Sequence, residues 1–415
     1  MEPDVVVIGG GAIGTTAALE LARRGVRVTL LERGETLAAG CSAGNSGLIC
    51  PSHSMPLASP ETLRQGVRTL LSPDGSFLRP RVRLLPWLVR FAAACREERA
   101  ETGERAIRAL SLESLELHAG LAALGTSFER RGTLSVYETE AGFAAGKREA
   151  ERSGLRAEIL APAEARASEP ALVYEPAGAI YHPDEAHMDP LRYVRAVGDA
   201  AREAGAELRT RTEVLAVRRR AGTVSVETAG GELRPATIVL AAGVWTARLA
   251  RALGVFVPLE GGKGYHVDLE PAPADPRVPV LLQEALTRTI ATPLDGRLRL
   301  AGTLELAGLD LSIRPVRVEA IRRAAARVLG NQAGRRVLDV WSGLRPCTPD
   351  GLPVIGSPAA VPGLVLATGH AMKGLSLAPV TARLVAELVT GAPPSRDLSP
   401  FSPDRFRPLL PLRER

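Results

Sequence analysis

Lysine is nearly missing from this chain. Of 52 basic residues only Lys147, Lys263 and Lys373 are lysines, so the net charge of +6 is carried by arginine. A bias of this kind reads as a scattered positive surface. Aromatics make up 4% of the residues and do not interleave with basic runs, which argues against a stacking platform for nucleic acid despite a pI near 9.5. Cysteine is scarce too. The four, at 41, 50, 95 and 347, show neither paired nor metal-ligand spacing, so no disulfide scaffold or metal site is expected, and free thiols point to a reducing compartment. No apolar run is long enough to span a bilayer. A strand starts within a few residues of Met1, so no signal peptide and a cytoplasmic location are expected.

What is present begins at once. Val5-Val6-Val7-Ile8 runs into Gly9-Gly10-Gly11-Ala12-Ile13-Gly14, a helix with Ala17, Ala18 and Leu21 at helical spacing follows, and Gly25 stops it before a strand from Val26 to Leu31 that ends at Glu32. Gly9 permits the tight turn, Gly11 lets the backbone approach a pyrophosphate, and Gly14 lets helix and strand pack closely. The helix N-terminus offers amides to phosphate, and Glu32 suits ribose hydroxyls. Strand, loop, helix, strand and acid in this order imply a dinucleotide.

The fingerprint does not separate NAD from FAD; the flanks do. Glu32-Arg33 leads to Ala39-Gly40-Cys41-Ser42-Ala43-Gly44-Asn45-Ser46-Gly47, a loop of small residues able to pass beneath a flat ring. Near the C-terminus a strand, Leu364 to Ala367, enters Thr368-Gly369-His370-Ala371-Met372-Lys373-Gly374, with a helix expected from about Leu375. A helix N-terminus there would stabilise the negative charge of a reduced flavin. A further segment, Trp341 to Gly356, sets Arg345 beside Pro346, with Pro349 and Pro353 nearby. It reads as a stiff shelf. The planar guanidinium on it serves either as a surface salt bridge or as a carboxylate clamp.

These stretches, with Gly47-Leu48-Ile49-Cys50-Pro51-Ser52-His53, Ala241-Ala242-Gly243-Val244-Trp245, Lys263-Gly264-Tyr265 and Gly343-Leu344-Arg345-Pro346, resemble the D-amino-acid dehydrogenase and glycine oxidase branch of the D-amino-acid oxidase family over nearly the whole chain. The resemblance implies extended FAD held by Gly9, Gly11, Ala12, Ile13, Gly14, Glu32, Arg33, Ser42, Gly44, Asn45, Ser46, Gly47 and Leu48. It adds Val214 near the adenine, then Gly243, Trp245, Gly343, Gly369, His370, Met372, Lys373, Gly374 and Leu375. It makes Arg345 the clamp on a substrate carboxylate.

Other substrate candidates carry two readings each. His53 is a substrate contact or a loop residue capping a backbone group; Tyr265 closes the pocket or fills a core. Glu305 and Arg288 read a polar group or are solvated strand residues. His370 is expected to turn its ring aside while its backbone serves the flavin. No acid-base residue is assigned, because hydride loss in the family requires only a neutral amine.

The implied reaction oxidises a small amino acid, of D configuration and including D-proline or hydroxyproline types, by hydride transfer from the α-carbon to flavin N5. The imine then gives oxo acid and ammonia. Oxygen or a quinone takes the electrons. A glycine/sarcosine-type amine oxidase and a flavin domain acting on modified tRNA are the alternatives.

The expected fold is α/β: a Rossmann-type FAD domain (1–55, 186–258 and 335–415) interleaved with an α+β substrate domain on a mainly antiparallel sheet (56–185 and 259–334). Helices are expected from Ser59 to about Leu71, Leu84 to Arg99, Glu101 to Leu124 and Asp189 to Gly205, with a turn at Ser72–Gly75 and a hairpin around Gly222. An apolar stripe of Leu84, Leu88, Phe91 and Cys95 beside Arg81, Arg83, Arg90 and Arg96 suits a buried substrate-domain helix, or peripheral contact with the inner membrane.

Overall fold

The computed structural model describes residues 2–64, 82–220, 223–283, 287–330, 332 and 334–406. The expected continuation of the Ser59 helix to Leu71, the turn at Ser72–Gly75, Arg81 and Gly222 lie outside these residues.

The apolar runs Val5–Ile8 and Val28–Leu31 are buried at every position. A strand without a polar face must lie inside a sheet covered on both sides. They pair in parallel at the centre of a six-stranded sheet ordered Val354–Gly356, Leu364–Thr368, Thr237–Leu240, Val5–Ile8, Val28–Leu31, Glu207–Arg209, in which only Val354–Gly356 runs antiparallel. Helix Ala12–Arg23 packs between helices Pro190–Glu203 and Ala378–Thr390. Asp189 caps Pro190–Glu203, its carboxylate accepting from the amides of Leu191 (2.9 Å) and Arg192 (3.1 Å). A hairpin, Val214–Arg220 with Thr223–Thr228, carries the short strand Gly231–Leu233 alongside.

The second sheet has eight strands, ordered Val337–Cys347, Glu260–Leu269, Arg297–Leu306, Ile290–Leu294, Val280–Leu282, Thr133–Tyr137, Gly178–His182, Glu158–Leu160. It is antiparallel apart from the pairing of Val280–Leu282 with Thr133–Tyr137. Its alternation sets the site. Tyr265, Val267 and Leu269 face a core that includes Ile321 and Ala325 of helix Pro315–Leu329. Gly262, Gly264 and His266 therefore face the other way.

The expected domain boundaries need two corrections. Val337–Cys347 pairs along its length with Glu260–Leu269, so the boundary set at 335 falls after Cys347 instead. Helix Glu97–Gly120, expected in the substrate domain, packs on the cofactor half: Ser114 Oγ donates to Ser376 O at 2.6 Å, and His118 Nε2 lies 3.1 Å from Leu375 O. The preceding helix, Leu85–Ala94, ends at Cys95 rather than near Arg99. Its buried side is Leu84, Trp87, Phe91 and Ala94, packed with Leu306 and Cys347, and Trp87 Nε1 donates to Cys347 O at 3.3 Å. Leu88 and Cys95 are partly buried at the edge of that cluster.

Candidate active site

The glycine loop has the close approaches its sequence requires. Gly9 sits at φ +114° and an added Cβ would lie 2.5 Å from Ala241 O; at Gly14 it would lie 1.9 Å from Gly9 O. At Gly11 only Ser42 Oγ, at 3.0 Å, comes near. The loop is therefore packed on its inner side and open on its outer side, the shape a pyrophosphate needs. Ala12 N–H donates to Ser42 Oγ at 3.0 Å, tying the helix start to the small-residue loop. Buried Glu32 accepts from the amides of Gly10 and Gly34, both at 2.7 Å, so its carboxylate is fixed beside the loop. Arg33 stacks over Trp245 at 3.9 Å, joining two cofactor candidates that follow separate strands of the sheet. Gly243 adopts φ +55° with nothing within 4 Å of an added Cβ, and Val214 opens its strand against the neighbouring apolar cluster. The residues fit an extended dinucleotide.

The small-residue loop and the C-terminal turn meet. Asn45 Nδ2 donates to Met372 O at 3.2 Å, and Asn45 Oδ1 accepts from Gly47 N–H at 2.8 Å. After Gly369 at φ +74°, Ala371–Lys373 forms a single 3-10 turn, and the helix starts at Ala378 rather than near Leu375, with Gly374 and Leu375 in the lead-in. The His370 ring turns into that helix, 3.0 Å from Thr381 Oγ1, and burial lowers its pKa to about 3. Leu48 pairs with His187 in a two-stranded ribbon. Lys373 Nζ donates to His53 O. Burial lowers its pKa to about 8, opposed by the nearby Cys50, Glu185 and Glu104.

Arg345 lies in a strand, not on a turn shelf as its prolines suggest. The strand continues through Pro346 to Cys347 opposite Glu260. Its neighbour across the ladder is Gly262, and an added Cβ on Gly264 would lie 2.1 Å from Arg345 Nη1, so the guanidinium lies over a glycine floor. Nη1 donates to Thr303 O at 2.8 Å. No carboxylate among the described residues pairs with it. Burial lowers its pKa, and only the thiols of Cys347 and Cys41 act in the opposite direction. Burial also pushes Cys347 up to about 12. Buried cations around it are paired: Arg299 with Asp268 at 2.8 Å and Lys263 with Asp310 at 3.2 Å in the sheet, and Arg317 of helix Pro315–Leu329 with Glu305 at 2.9 Å.

The structure does not bring Tyr265 and Glu305 to Arg345. They share the opposite face, where Tyr265 Oη donates to Glu305 Oε2 at 2.7 Å. Glu305 also accepts from Arg314 and Arg317, both at 2.9 Å. Burial alone would raise its pKa, but these bonds hold it below the usual value. Both residues belong to the core side of the sheet. His53 packs its ring between Ser52 Oγ (2.9 Å) and Gln283 Nε2 (3.0 Å), and burial lowers its pKa to about 4. Arg288 is exposed at φ +44° just before Ile290–Leu294, its charge near His53 and Glu149.

Two groupings of ligand-type side chains that the sequence did not suggest also form: Cys50 with His53 and Glu185, and His266 with Asp268 and Asp339. Lys373 lies against the first and Arg299 against the second, so a fixed cation already answers the charge a metal ion would need. Trp341 was missed as well. Its indole covers Gly44 and Gly343, whose added Cβ atoms would lie 2.1 and 1.9 Å from it, and it stacks on His266 with centroids 5.3 Å apart. Its position four residues before Arg345, on the same strand face, was the signal available.

Residues 4–388 match the family described as DAO, FAD dependent oxidoreductase. A D-amino acid dehydrogenase of Paramagnetospirillum magneticum is 34% identical, over 98% of this chain and 99% of that protein. One of Xanthobacter autotrophicus is 30% identical over 97% and 99%. The crystal structure of glycine oxidase from Geobacillus kaustophilus superposes with a TM-score of 0.81 at 27% identity, covering 98% of this chain and 100% of that one.

Proposed function

The chain belongs to the DAO family of FAD-dependent oxidoreductases, and on that premise we propose that it dehydrogenates a small D-amino acid whose carboxylate is held by Arg345. The reaction is FAD-dependent oxidative deamination of an amino acid. Bound FAD is the two-electron acceptor. The substrate loses a hydride from its α-carbon and a proton from its nitrogen, and water converts the imine to oxo acid and ammonia; a cyclic amine stops at the cyclic imine.

One observation carries the substrate reading. Arg345 is a half-buried guanidinium with one nitrogen anchored on a backbone carbonyl and no acid partner among the described residues. A partly desolvated cation without a counter-ion is costly, and a carboxylate arriving with the substrate offsets that cost. Its fork matches two carboxylate oxygens. The missing side chain at Gly264 makes room for the guanidinium itself, since an added Cβ there would lie 2.1 Å from Arg345 Nη1.

Arg345→Ala should lower kcat/KM by about 30-fold to several thousandfold while FAD stays bound, because removing one partner of a buried charge pair costs roughly 2–5 kcal/mol. Arg345→Lys should recover part of the loss. The amino-acid amide is the control: a poor substrate of the wild type and nearly indifferent to the substitution. Equal loss with acid and amide would make Arg345 a structural residue. The similarity to a glycine oxidase favours one second reading, a glycine/sarcosine-type amine oxidase, and comparing kcat/KM for D-alanine, D-proline, glycine and sarcosine separates the two.

A further inference from the structure

The loop Ala43–Asn45 is held from beneath by the substrate sheet. Arg299 Nη1 donates to Ala43 O and to Asn45 O, both at 2.8 Å, and His266 Nδ1 faces Gly44 O at 3.3 Å. Three consecutive carbonyls are thus gripped by two side chains of neighbouring strands. The grip is itself braced. Asp268 binds Arg299 through two parallel bonds of 2.8 Å, Arg297 Nε stands 2.9 Å from Asp268, and Asp339 lies 3.2 Å from His266 Nε2. Arg299, Asp268 and His266 are all buried.

In a trans peptide the carbonyl and the following N–H point in opposite directions. Fixing the carbonyls of Ala43 and Asn45 toward the sheet turns the N–H groups of Gly44 and Ser46 away from it. Between them, Asn45 N–H is already bonded to Ser42 O at 3.2 Å, whereas those of Gly44 and Ser46 have no protein acceptor among the described residues. Two unused donors therefore flank a used one, on the loop that Ser42 ties to the glycine loop.

We propose that Arg299, braced by Asp268, and His266 are positioning residues of the cofactor site, which hold the Ala43–Asn45 carbonyls so that the amides of Gly44 and Ser46 serve FAD. The proposal depends on FAD as the cofactor and is independent of which amino acid is oxidised. It also makes one guanidinium the tie between the cofactor loop and the substrate sheet.

The test is FAD binding without substrate. Apoprotein of Arg299→Met, which leaves Asp268 its contact with Arg297, is titrated with FAD by flavin fluorescence, and its unfolding temperature is recorded alone. The Kd should rise about tenfold to a hundredfold, the usual worth of charged hydrogen bonds, with a shifted flavin absorption band and out of proportion to any fall in the apoprotein unfolding temperature. Arg299→Lys should restore part of the affinity. His266→Phe, which keeps the stack on Trp341, should show a smaller rise. Unchanged Kd and flavin spectrum in folded Arg299→Met would overturn the proposal. So would an affinity loss that tracks apoprotein destabilisation across all three variants.

Discussion

At the scale of single residues, the glycine beneath Arg345 matters as much as the arginine. An added Cβ at Gly264 would lie 2.1 Å from Arg345 Nη1, so Gly264→Ala must displace the guanidinium without touching a strained backbone angle. The expected outcome is a KM for the amino acid raised about tenfold to a hundredfold, as for misplacement of a binding group by about 1 Å, with little change in unfolding temperature. An unchanged KM would move the substrate away from Arg345. Lys373 makes a different prediction. Burial holds its pKa at about 8, so its charge is lost as pH rises through that value. If it lies at the flavin, the reduction potential should show an inflection near pH 8, and Lys373→Met should lower the potential and abolish the inflection. Potentiometric titration of both proteins checks this.

At the scale of elements, the buried junction between helix Glu97–Gly120 and the approach to helix Ala378–Thr390 should make the fold acid-sensitive. His118 is fully buried there, bonded to Leu375 O, and burial lowers its pKa from 6.5 to about 4. The unfolded chain takes up the proton below about pH 6.5 while the folded chain resists it until about pH 4. Stability contributed by the neutral ring is therefore present above 6.5 and is lost as pH falls across that window, on the order of 3 kcal/mol for this group. His118→Gln should flatten the fall in urea midpoint between pH 7 and 4.5. An unaltered slope would assign the acid sensitivity to His53 or His370, which share the same sign. Sequence showed these two helices but assigned the first to the wrong half, because amphipathic spacing reports that a face is buried and not against what.

For the whole molecule, the glycine loop, the small-residue loop and the C-terminal turn converge on one extended site, so the purified protein should be yellow and release FAD on denaturation. Its unfolding temperature should rise with added FAD, by mass action on the folded state. With a quinone analogue as acceptor the reduced protein should reoxidise faster than with oxygen; stopped-flow reoxidation matching turnover in oxygen alone would make it an oxidase. The sequence by itself determined the cofactor unit, because strand, glycine loop, helix and Glu32 are contiguous and each step rests on local sterics or helical spacing. It also singled out Arg345. Only the tertiary structure decided what surrounds that arginine. Side chains alternate across a strand, so pairing Glu260–Leu269 with Arg297–Leu306 and Val337–Cys347 sends Tyr265 and Glu305 to the core face and leaves Arg345, Trp341 and His266 on the other. Pairing of strands distant in sequence also carried Val337–Cys347 into the eight-stranded sheet and put Arg299 under the Ala43–Asn45 loop, 254 residues from Asn45. No local signal encodes such register, which is set by the burial of both faces at once.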